Sequence, residues 1–289
     1  MPDILLKTMA CDKQARIFFV NNTDLIRTIC HRPAIKSKLL RRALGLTVSA
    51  ASLLAGTLKE NQRLSLKMKA SHSTYKWFAD VDSQGNVRGY ASDDLLKAPP
   101  EILDGLSMPQ FVGDRGFIQI VKDVGMYRNV TGITDMPYRN IVDDLSHYFH
   151  QSEQTPTHFA LHIDYMDDGH IGTSAGILAQ LLPGAPDGLL DRIKEITRRL
   201  PDIPSSELNG EPFRRVPFLL FDDIEIKETL PVKAFCGCSK EMMFPMLYSL
   251  GIDELTAACE KNDSIEMICH ICGNSYIFAP DEIKKLLAR

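Results

Sequence analysis

The chain has 289 residues, of which 44% are hydrophobic, and its formal net charge is −4 at pH 7. This length exceeds one average domain, so we expect two domains or one large domain with an appendage, with ample apolar material for a core. Residues 231–289 carry six Lys or Arg against eight Asp or Glu, which argues against nucleic-acid binding because that needs a basic face to neutralise phosphates.

The N-terminal part is predicted to begin with a hairpin and two helices. Segments 4–9 and 16–20 flank a polar turn, as in a β-hairpin. Thr23 is placed to cap a short helix that ends near His31. The run 37–58 predicts a long helix. Its apolar part is shorter than a membrane span and contains Ser and Thr, so we expect it to be buried and predict no membrane association.

Alternating patterns then predict further strands. Apolar residues alternate with polar ones over 64–70, which is the period of a half-buried strand. The other predicted strands are 75–81, 87–92, 117–121, 130–134, 159–165 and 170–182, with a helix at 141–151. Strand pairs with interposed helices predict an α+β fold class in which residues 1–184 form an N-terminal α/β domain with antiparallel sheets and a long buried helix.

Residues 185–230 predict a helical, proline-rich linker. An apolar stripe at helical spacing, with Asp187 as its cap, indicates one amphipathic helix. The stripe consists of Leu189, Ile193, Ile196 and Leu200. Four later prolines exclude another long element. The apolar cluster 218–221 makes the segment too apolar for a free tether, so we expect it to pack on another part of the chain.

Residues 231–289 predict a small C-terminal domain. Ser239 is placed to cap a helix toward Leu250, although Pro245 must delay its start or kink it. The remaining predicted elements are a helix at 253–261, a hairpin of 265–268 with 276–278, and a helix at 281–287.

Two close cysteine pairs lie in this domain, Cys236-Gly237-Cys238 and Cys269-His270-Ile271-Cys272. This is the usual spacing of a tetrahedral four-thiolate zinc site, and scattered core or disulfide cysteines rarely fall into it. A domain of about sixty residues has a core worth roughly 3–5 kcal/mol, whereas structural zinc contributes ~10–16 kcal/mol. We therefore predict one Zn²⁺ per chain, bound by Cys236, Cys238, Cys269 and Cys272. The cysteine spacing does not distinguish a permanently bound structural zinc from a zinc that oxidation of the thiolates releases.

The seven cysteines suit a reducing compartment, because their number is odd and at least four are arranged as metal ligands. The N-terminal sequence lacks the basic region, apolar core and cleavage site of a signal peptide. We therefore expect a cytoplasmic protein. Cys11, Cys30 and Cys259 fall outside the paired pattern, and we expect Cys259 to lie on a helix without binding the metal.

Two other patterns are explained without a functional site. Gly172-Thr173-Ser174-Ala175-Gly176 fits the G-x-S-x-G motif of α/β-hydrolases, but the later histidine, His270, lies between two predicted ligands. Small residues in a packed strand explain the motif better. The pairs His147/His150 and His158/His162 have metal-like spacings without an evident partner, and we interpret them as ordinary helix and strand residues. No catalytic residue is predicted, and the chain is not expected to be an enzyme.

Several stretches together resemble the 33 kDa heat-shock protein family, the redox-regulated holdase chaperones of bacteria. These stretches are GNVRGY (85–90), FIQIVKD (117–123), YFHQSEQTP (148–156), LLPG (181–184) and the block 236–278. They follow the family's order over nearly the full length. The cysteine block and the Ser-Glu-Gln segment are the most specific of them.

The resemblance implies a stress-activated chaperone that works without ATP and prevents the aggregation of unfolding client proteins. The reduced, zinc-bound form would be inactive. Oxidants would pair Cys236 with Cys238 and Cys269 with Cys272, expel the metal, and unfold both the C-terminal domain (231–289) and the linker, so that apolar surface is exposed. The oxidised form would be a homodimer. A C-x-C disulfide is cramped and therefore reducible, which suits a reversible switch.

The alternative is a non-enzymatic protein in which zinc is a permanent staple, such as an accessory factor in transcription or translation. The two classes differ in whether peroxide releases zinc and simultaneously confers suppression of aggregation. Pro245 and Cys259, an extra thiol between the pairs, depart from the family pattern. They bear on the reversibility of the switch rather than on zinc.

Overall fold

The computed structural model describes residues 2–125 and 128–287. The chain divides into two compact units, Met1–Phe235 and Cys236–Arg289, and each unit has an apolar core of its own. Helices are mixed with largely antiparallel sheets, which confirms the predicted α+β class.

The first unit contains most of the secondary structure. Its strands are β1 (Ile4–Ala10), β2 (Ala15–Asn21), β3 (Arg63–Lys69), β4 (Lys76–Asp82), β5 (Asn86–Ala91), β6 (Phe117–Asp123), β7 (Asn129–Asp135), β8 (Thr157–Tyr165), β9 (Ile171–Leu181), β10 (Glu225–Pro231) and β11 (Lys233–Ala234). Its α-helices are α1 (Thr23–Cys30), α2 (Lys38–Leu54), α3 (Asp93–Lys97), α4 (Pro100–Asp104), α5 (Met108–Val112), α6 (Ile141–Ser152), α7 (Leu189–Thr197), α8 (Ser205–Leu208) and α9 (Val216–Leu220). The sequence pattern predicts every strand through β9 and misses the short helices α3 to α5.

The strands form two sheets. One has the order β10-β1-β2-β9-β8, and its strands are all antiparallel. The other has the order β11-β5-β4-β3-β6-β7 and is antiparallel except for the short parallel pair of β11 and β5. The predicted hairpins β1–β2, β4–β5 and β8–β9 are therefore confirmed.

Helix α2 lies in a core shared with one face of each sheet. By length and composition the stretch Lys38–Thr57 could cross a membrane, but 72% of its apolar window is buried inside the protein, as in a core helix. The helix ends at Leu54 and continues as a 3-10 turn, Ala55–Thr57. Thr47 accepts a hydrogen bond of 2.9 Å from the buried Trp77 indole N–H, so these two polar groups of the core are paired with each other. The predicted buried helix is confirmed.

The segment 185–230 packs on the five-stranded sheet. Leu5, Phe18 and Leu178 face the α2 core, whereas their neighbours Leu6, Phe19 and Ile177 face a second core. Further strand residues line this second core, and the segment adds Leu189, Ile193, Leu200, Leu208, Phe213, Val216, Leu220, Phe221 and Ile224. This sheet is therefore covered on both faces, and the expectation that the apolar segment packs on another part of the chain is confirmed.

The same segment shows three differences from the sequence prediction. Gly188, at φ 79°, precedes the first residue of α7, so Asp187 is not the helix cap. Of the apolar cluster 218–221, Leu220 and Phe221 are buried, whereas Phe218 and Leu219 are exposed. Strand β10, which pairs with β1, was not predicted. Its polar sequence has no alternating pattern that would predict a strand, and its partner β1 is at the other end of the sequence of this unit.

Helix α1 also begins differently from the prediction. Thr23 is its first residue, and the preceding Asn22 makes no side-chain cap. The buried carboxylate of Asp3 accepts hydrogen bonds from the N–H groups of Leu25 (2.6 Å) and Asp24 (3.3 Å) instead. The Thr23 hydroxyl accepts from the N–H of Ser174, 3.0 Å away. A cap supplied from twenty residues upstream cannot be read from local spacing.

The second unit is a small α+β fold. Its elements are α10 (Lys240–Met243), α11 (Ile252–Lys261), β12 (Ile265–Ile268), β13 (Ser275–Phe278) and α12 (Pro280–Leu287), with a 3-10 helix at Phe244–Leu250. Ser239 caps α10 by accepting from the Met242 N–H, as predicted. The chain stays helical to Leu250 as predicted, but only Lys240–Met243 is α-helical: Pro245 has no N–H for the next α-helical bond, and the chain tightens into 3-10 turns.

Candidate metal centre

The structure brings the four paired cysteines together. Cys236 and Cys238 lie in the loop before α10, and Cys269 and Cys272 lie in the turn between β12 and β13. The Sγ atoms of Cys236 and Cys269 are 3.7 Å apart, and those of Cys238 and Cys272 are 3.3 Å apart. All four sulfur atoms lie within 4.8 Å of one another, so the group could hold a metal ion. Sulfurs bound at ~2.3 Å around a tetrahedral ion are about 3.8 Å apart, and the observed spacing fits such a set.

The β12–β13 turn holds its two cysteines through the backbone. The Cys269 N–H donates to Asn274 O, and the Gly273 N–H donates to Cys269 O, each over 2.8 Å. Gly273 has φ +78°, a left-handed conformation that favours glycine. Backbone N–H groups also reach the sulfurs, from Asn274 to Cys272 and from Cys238 to Cys236. These two backbone hydrogen bonds stabilise negative charge on Cys272 and Cys236.

The surroundings shift the pKa values of the cysteine thiols in different directions. Burial raises the pKa of Cys236 to about 12 and also raises the pKa of Cys272. Burial opposes ionisation of Cys238 as well, but hydrogen bonds from the Tyr276 hydroxyl and the neighbouring thiols outweigh it and lower the pKa of Cys238 to about 7. Cys238 therefore ionises ahead of Cys236 and Cys272.

Two contacts around the group were not found from the sequence. The Tyr276 hydroxyl lies 3.0 Å from Cys238 Sγ and 3.1 Å from Cys238 O. Glu282 accepts from Lys240 Nζ (2.8 Å) and from the N–H of Ala279 (2.9 Å), which ties the start of α10 to the start of α12. An aromatic residue soon after the second C-x-x-C cysteine is the only sequence signal for Tyr276.

The three remaining cysteines do not belong to this group. Cys259 is on α11, half-buried, with its Sγ 3.8 Å from Pro280 O. Cys30 is fully buried in the first unit, where burial raises its pKa to about 12. Cys11 lies in the β1–β2 turn, and burial raises its pKa too.

The other motifs form neither a nucleophile turn nor a metal site among the residues that the structure describes. Ser174 is fully buried in β9 and donates to Asn22 Oδ1 over 2.7 Å, so it is not on an exposed nucleophile turn. Among the described residues, no group of three or more potential metal ligands includes His147, His150, His158 or His162. The interpretation of the G-x-S-x-G match as a packed strand is confirmed.

Comparisons with known proteins find relatives over nearly the whole chain. The family model described as Hsp33 protein matches residues 3–279. A protein of Syntrophotalea carbinolica named 33 kDa chaperonin is 31% identical over 291 residues, with 100% of both chains covered. The 33 kDa chaperonin of Listeria welshimeri is 31% identical over 290 residues, covering 99% of this chain and 98% of the relative.

A solved structure shares the fold. The crystal structure of the 33 kDa chaperonin of Thermotoga maritima superimposes with a TM-score of 0.78 at 23% identity and covers 99% of this chain and 98% of that one. The family model and the two relatives confirm the family resemblance seen in the sequence. The chain belongs to the Hsp33 family of chaperones.

Proposed function

We propose that the protein is a redox-regulated, ATP-independent holdase. With one Zn²⁺ bound by Cys236, Cys238, Cys269 and Cys272 the reduced form is inactive, and the oxidised form binds unfolding client proteins and prevents their aggregation. The observation that carries the proposal is the group of four thiols within 4.8 Å of one another. It occurs in a chain that matches a chaperone family.

Zinc suits this group because thiolate sulfur is a soft ligand and a tetrahedral set of four thiolates is typical of structural zinc. The second unit also has a small core. Its buried apolar residues are Met243, Leu247, Leu255, Cys269, Phe278, Ile283 and Leu286. A core of this size supplies roughly 3–5 kcal/mol, whereas zinc supplies ~10–16 kcal/mol. Loss of the metal therefore unfolds the unit.

Oxidation converts each cysteine pair into a disulfide, Cys236 with Cys238 and Cys269 with Cys272. The two sulfurs of a pair give up two electrons, and one hydrogen peroxide takes them with two protons to become two waters. Disulfide sulfurs are no longer thiolate ligands, so the cysteines lose their metal affinity as they are oxidised.

We further propose that residues 1–184 are the client-binding core, 185–230 the releasable linker and 231–289 the redox switch. The linker covers the sheet face that contains Leu6, Ile17, Phe19 and Ile177. Its release would expose an apolar face of the kind that binds unfolding chains or a second copy in an oxidised homodimer. The cytoplasm is the compartment in which such a reduced resting state persists. The proposal includes no binding to nucleic acid or to a membrane.

The test compares zinc content and chaperone activity before and after oxidation. Peroxide should release one zinc per chain from the reduced full-length protein and confer suppression of client aggregation. The double variant Cys238→Ser, Cys269→Ser should lack zinc, and Cys259→Ser should retain it as the matched control. Full retention of zinc in the double variant would refute the ligand assignment. Zinc release without suppression of aggregation would contradict the holdase assignment, and retention of zinc under peroxide would favour a permanent structural zinc in a protein of another function.

A further inference from the structure

A groove on the first unit lies between α6, the start of β8 and the linker helix α7. We call it the α6–α7 groove. Its larger cavity has a volume of about 630 Å³. A second cavity of about 390 Å³ shares Asp143, His158 and Arg198 with the first. The groove exists only while α7 is docked, because one of its walls belongs to the linker.

Basic side chains from three elements line the larger cavity. They are His147 and His150 of α6, His158 of β8, Lys194 of α7, and Arg198, which directly follows α7. Among its lining residues in the described part of the chain, Asp143 is the one carboxylate. Burial, followed by the charges of Lys194 and Arg198, lowers the pKa of His158 to about 4. The potential of the two cations therefore reaches the wall of the groove opposite α7.

The two cations are available for a ligand. Lys194 pairs with Asp191 at 2.8 Å within α7, and Arg198, at the end of α7, pairs with Glu195 at 2.7 Å; both pairs are exposed to solvent. Exposed pairs three residues apart on a helix are weak, so a multiply charged anion in the groove can replace them as the partner.

His158 connects the two walls of the groove. The Thr197 hydroxyl donates to Lys194 O over 3.1 Å, so its oxygen accepts from the Nε2–H of neutral His158, 3.0 Å away. This bond holds α7 to β8. It also leaves the histidines of α6 and the cations of α7 facing one another across the cavity as donors for an anion.

We propose that the α6–α7 groove binds a small anion carrying a diphosphate group, which bridges α6 and α7. Diphosphate oxygens accept charge-assisted hydrogen bonds from Lys, Arg and His at the same time. A ligand that binds only the docked state stabilises it by mass action. The anion would therefore keep the linker docked, a consequence that rests on the proposed function, whereas the binding itself does not.

The binding test uses the reduced, full-length, zinc-loaded protein and inorganic pyrophosphate in isothermal titration at low salt. We expect one site per chain, with binding weakened by added salt. Lys194→Gln and Arg198→Gln should each lower the affinity about tenfold, as expected for the loss of one charge-assisted hydrogen bond. His150→Gln, on the opposite wall, should lower it as well. Arg199→Gln is the matched control, because Arg199 is exposed next to Arg198 and does not line the cavity.

Parallel titrations identify the source of the anion. Equal binding of ADP and pyrophosphate would assign the site to the diphosphate of a nucleotide, and binding of pyrophosphate alone would assign it to the free anion. Absence of binding, or equal weakening by Arg199→Gln and Arg198→Gln, would overturn the proposal. Since no oxidant or client is used, these results stay separate from success or failure of the chaperone assay. Slower protease cleavage within 186–204 in the presence of pyrophosphate would support the link to the linker.

Discussion

Replacing Tyr276 by Phe is expected to weaken metal binding at the cysteine group while the second unit stays folded. The Tyr276 hydroxyl lies 3.0 Å from Cys238 Sγ. Its hydrogen bond stabilises negative charge on the sulfur, which is the form in which cysteine binds a metal. The bond to Cys238, followed by burial, raises the pKa of Tyr276 to about 12, so the hydroxyl keeps its proton and remains a donor at neutral pH.

The expected magnitude follows from the position of the hydroxyl. Loss of an outer hydrogen bond to a metal ligand typically lowers metal affinity about 10–100-fold. Tyr276 is only half-buried, so water replaces part of the lost interaction. We therefore expect the loss of zinc affinity to be at the lower end of this range, about tenfold. The phenylalanine ring keeps the packing of Tyr276 against the small core, which preserves the fold.

The assay is competition for zinc between the reduced full-length protein and a chelator of known affinity. Cobalt substitution gives a second readout, because the absorption of thiolate-bound Co²⁺ reports the charge on the sulfurs. Tyr248→Phe is the matched control, since the Tyr248 hydroxyl lies in the same unit and donates to Leu286 O over 3.1 Å. Its removal should leave zinc affinity unchanged.

Two results would refute this reasoning. Equal zinc affinity in Tyr276→Phe and the unaltered protein would mean that the hydroxyl does not support the metal. Equal weakening in Tyr276→Phe and Tyr248→Phe would mean that any lost hydroxyl destabilises the unit.

Three further predictions concern the linker, the extra thiol and the start of α1. Ile193→Asn places an amide in a fully buried site, at a cost on the order of 3 kcal/mol. It should increase protease cleavage within 186–230 and give chaperone activity without oxidant, whereas the exposed Glu195→Asn should do neither; a protected linker in an inactive Ile193→Asn variant would contradict this. Cys259 should appear in a minor set of disulfides with Cys269 or Cys272 after oxidation and zinc loss, and peptide mapping that finds only the two neighbouring pairs would argue against it. Burial raises the pKa of Asp3 to about 6, so the native state binds the carboxyl proton of Asp3 more tightly than the unfolded chain does. The free energy of unfolding therefore falls by up to ~3 kcal/mol as pH rises from about 4 to about 6. Asp3→Asn should remove that fall in urea unfolding followed by the fluorescence of Trp77, and an unchanged pH dependence would count against the assignment.

Local patterns predicted most of the strands. Segment 64–70 alternates apolar and polar residues and forms β3, with Leu64, Leu66 and Met68 buried. The turns of β4–β5 and β12–β13 contain the glycines with positive φ, Gly85 and Gly273, that such turns need. These features depend on residues a few positions apart, which is why periodicity and turn chemistry are enough to find them.

Features that depend on distant partners were not predictable. Strand β10 has a polar sequence and forms because β1 offers a free edge, with Leu5 opposite Leu230. The cap of α1 comes from Asp3, and the hydroxyl beside Cys238 comes from Tyr276. No local sequence pattern predicts such a contact, because the contact stabilises the protein only when the rest of the fold holds both partners in place.

By itself, the sequence determined the order of the hairpins, the buried character of α2, the amphipathic stripe of α7 and the pairing of four cysteines into two close sets. Only the tertiary structure decided that the stripe covers the second face of the five-stranded sheet and that the four sulfurs meet within 4.8 Å. It alone decided that three histidines face two cations across one groove. The physical reason is that the sequence sets which face of an element is apolar, whereas packing the elements against one another chooses what that face meets.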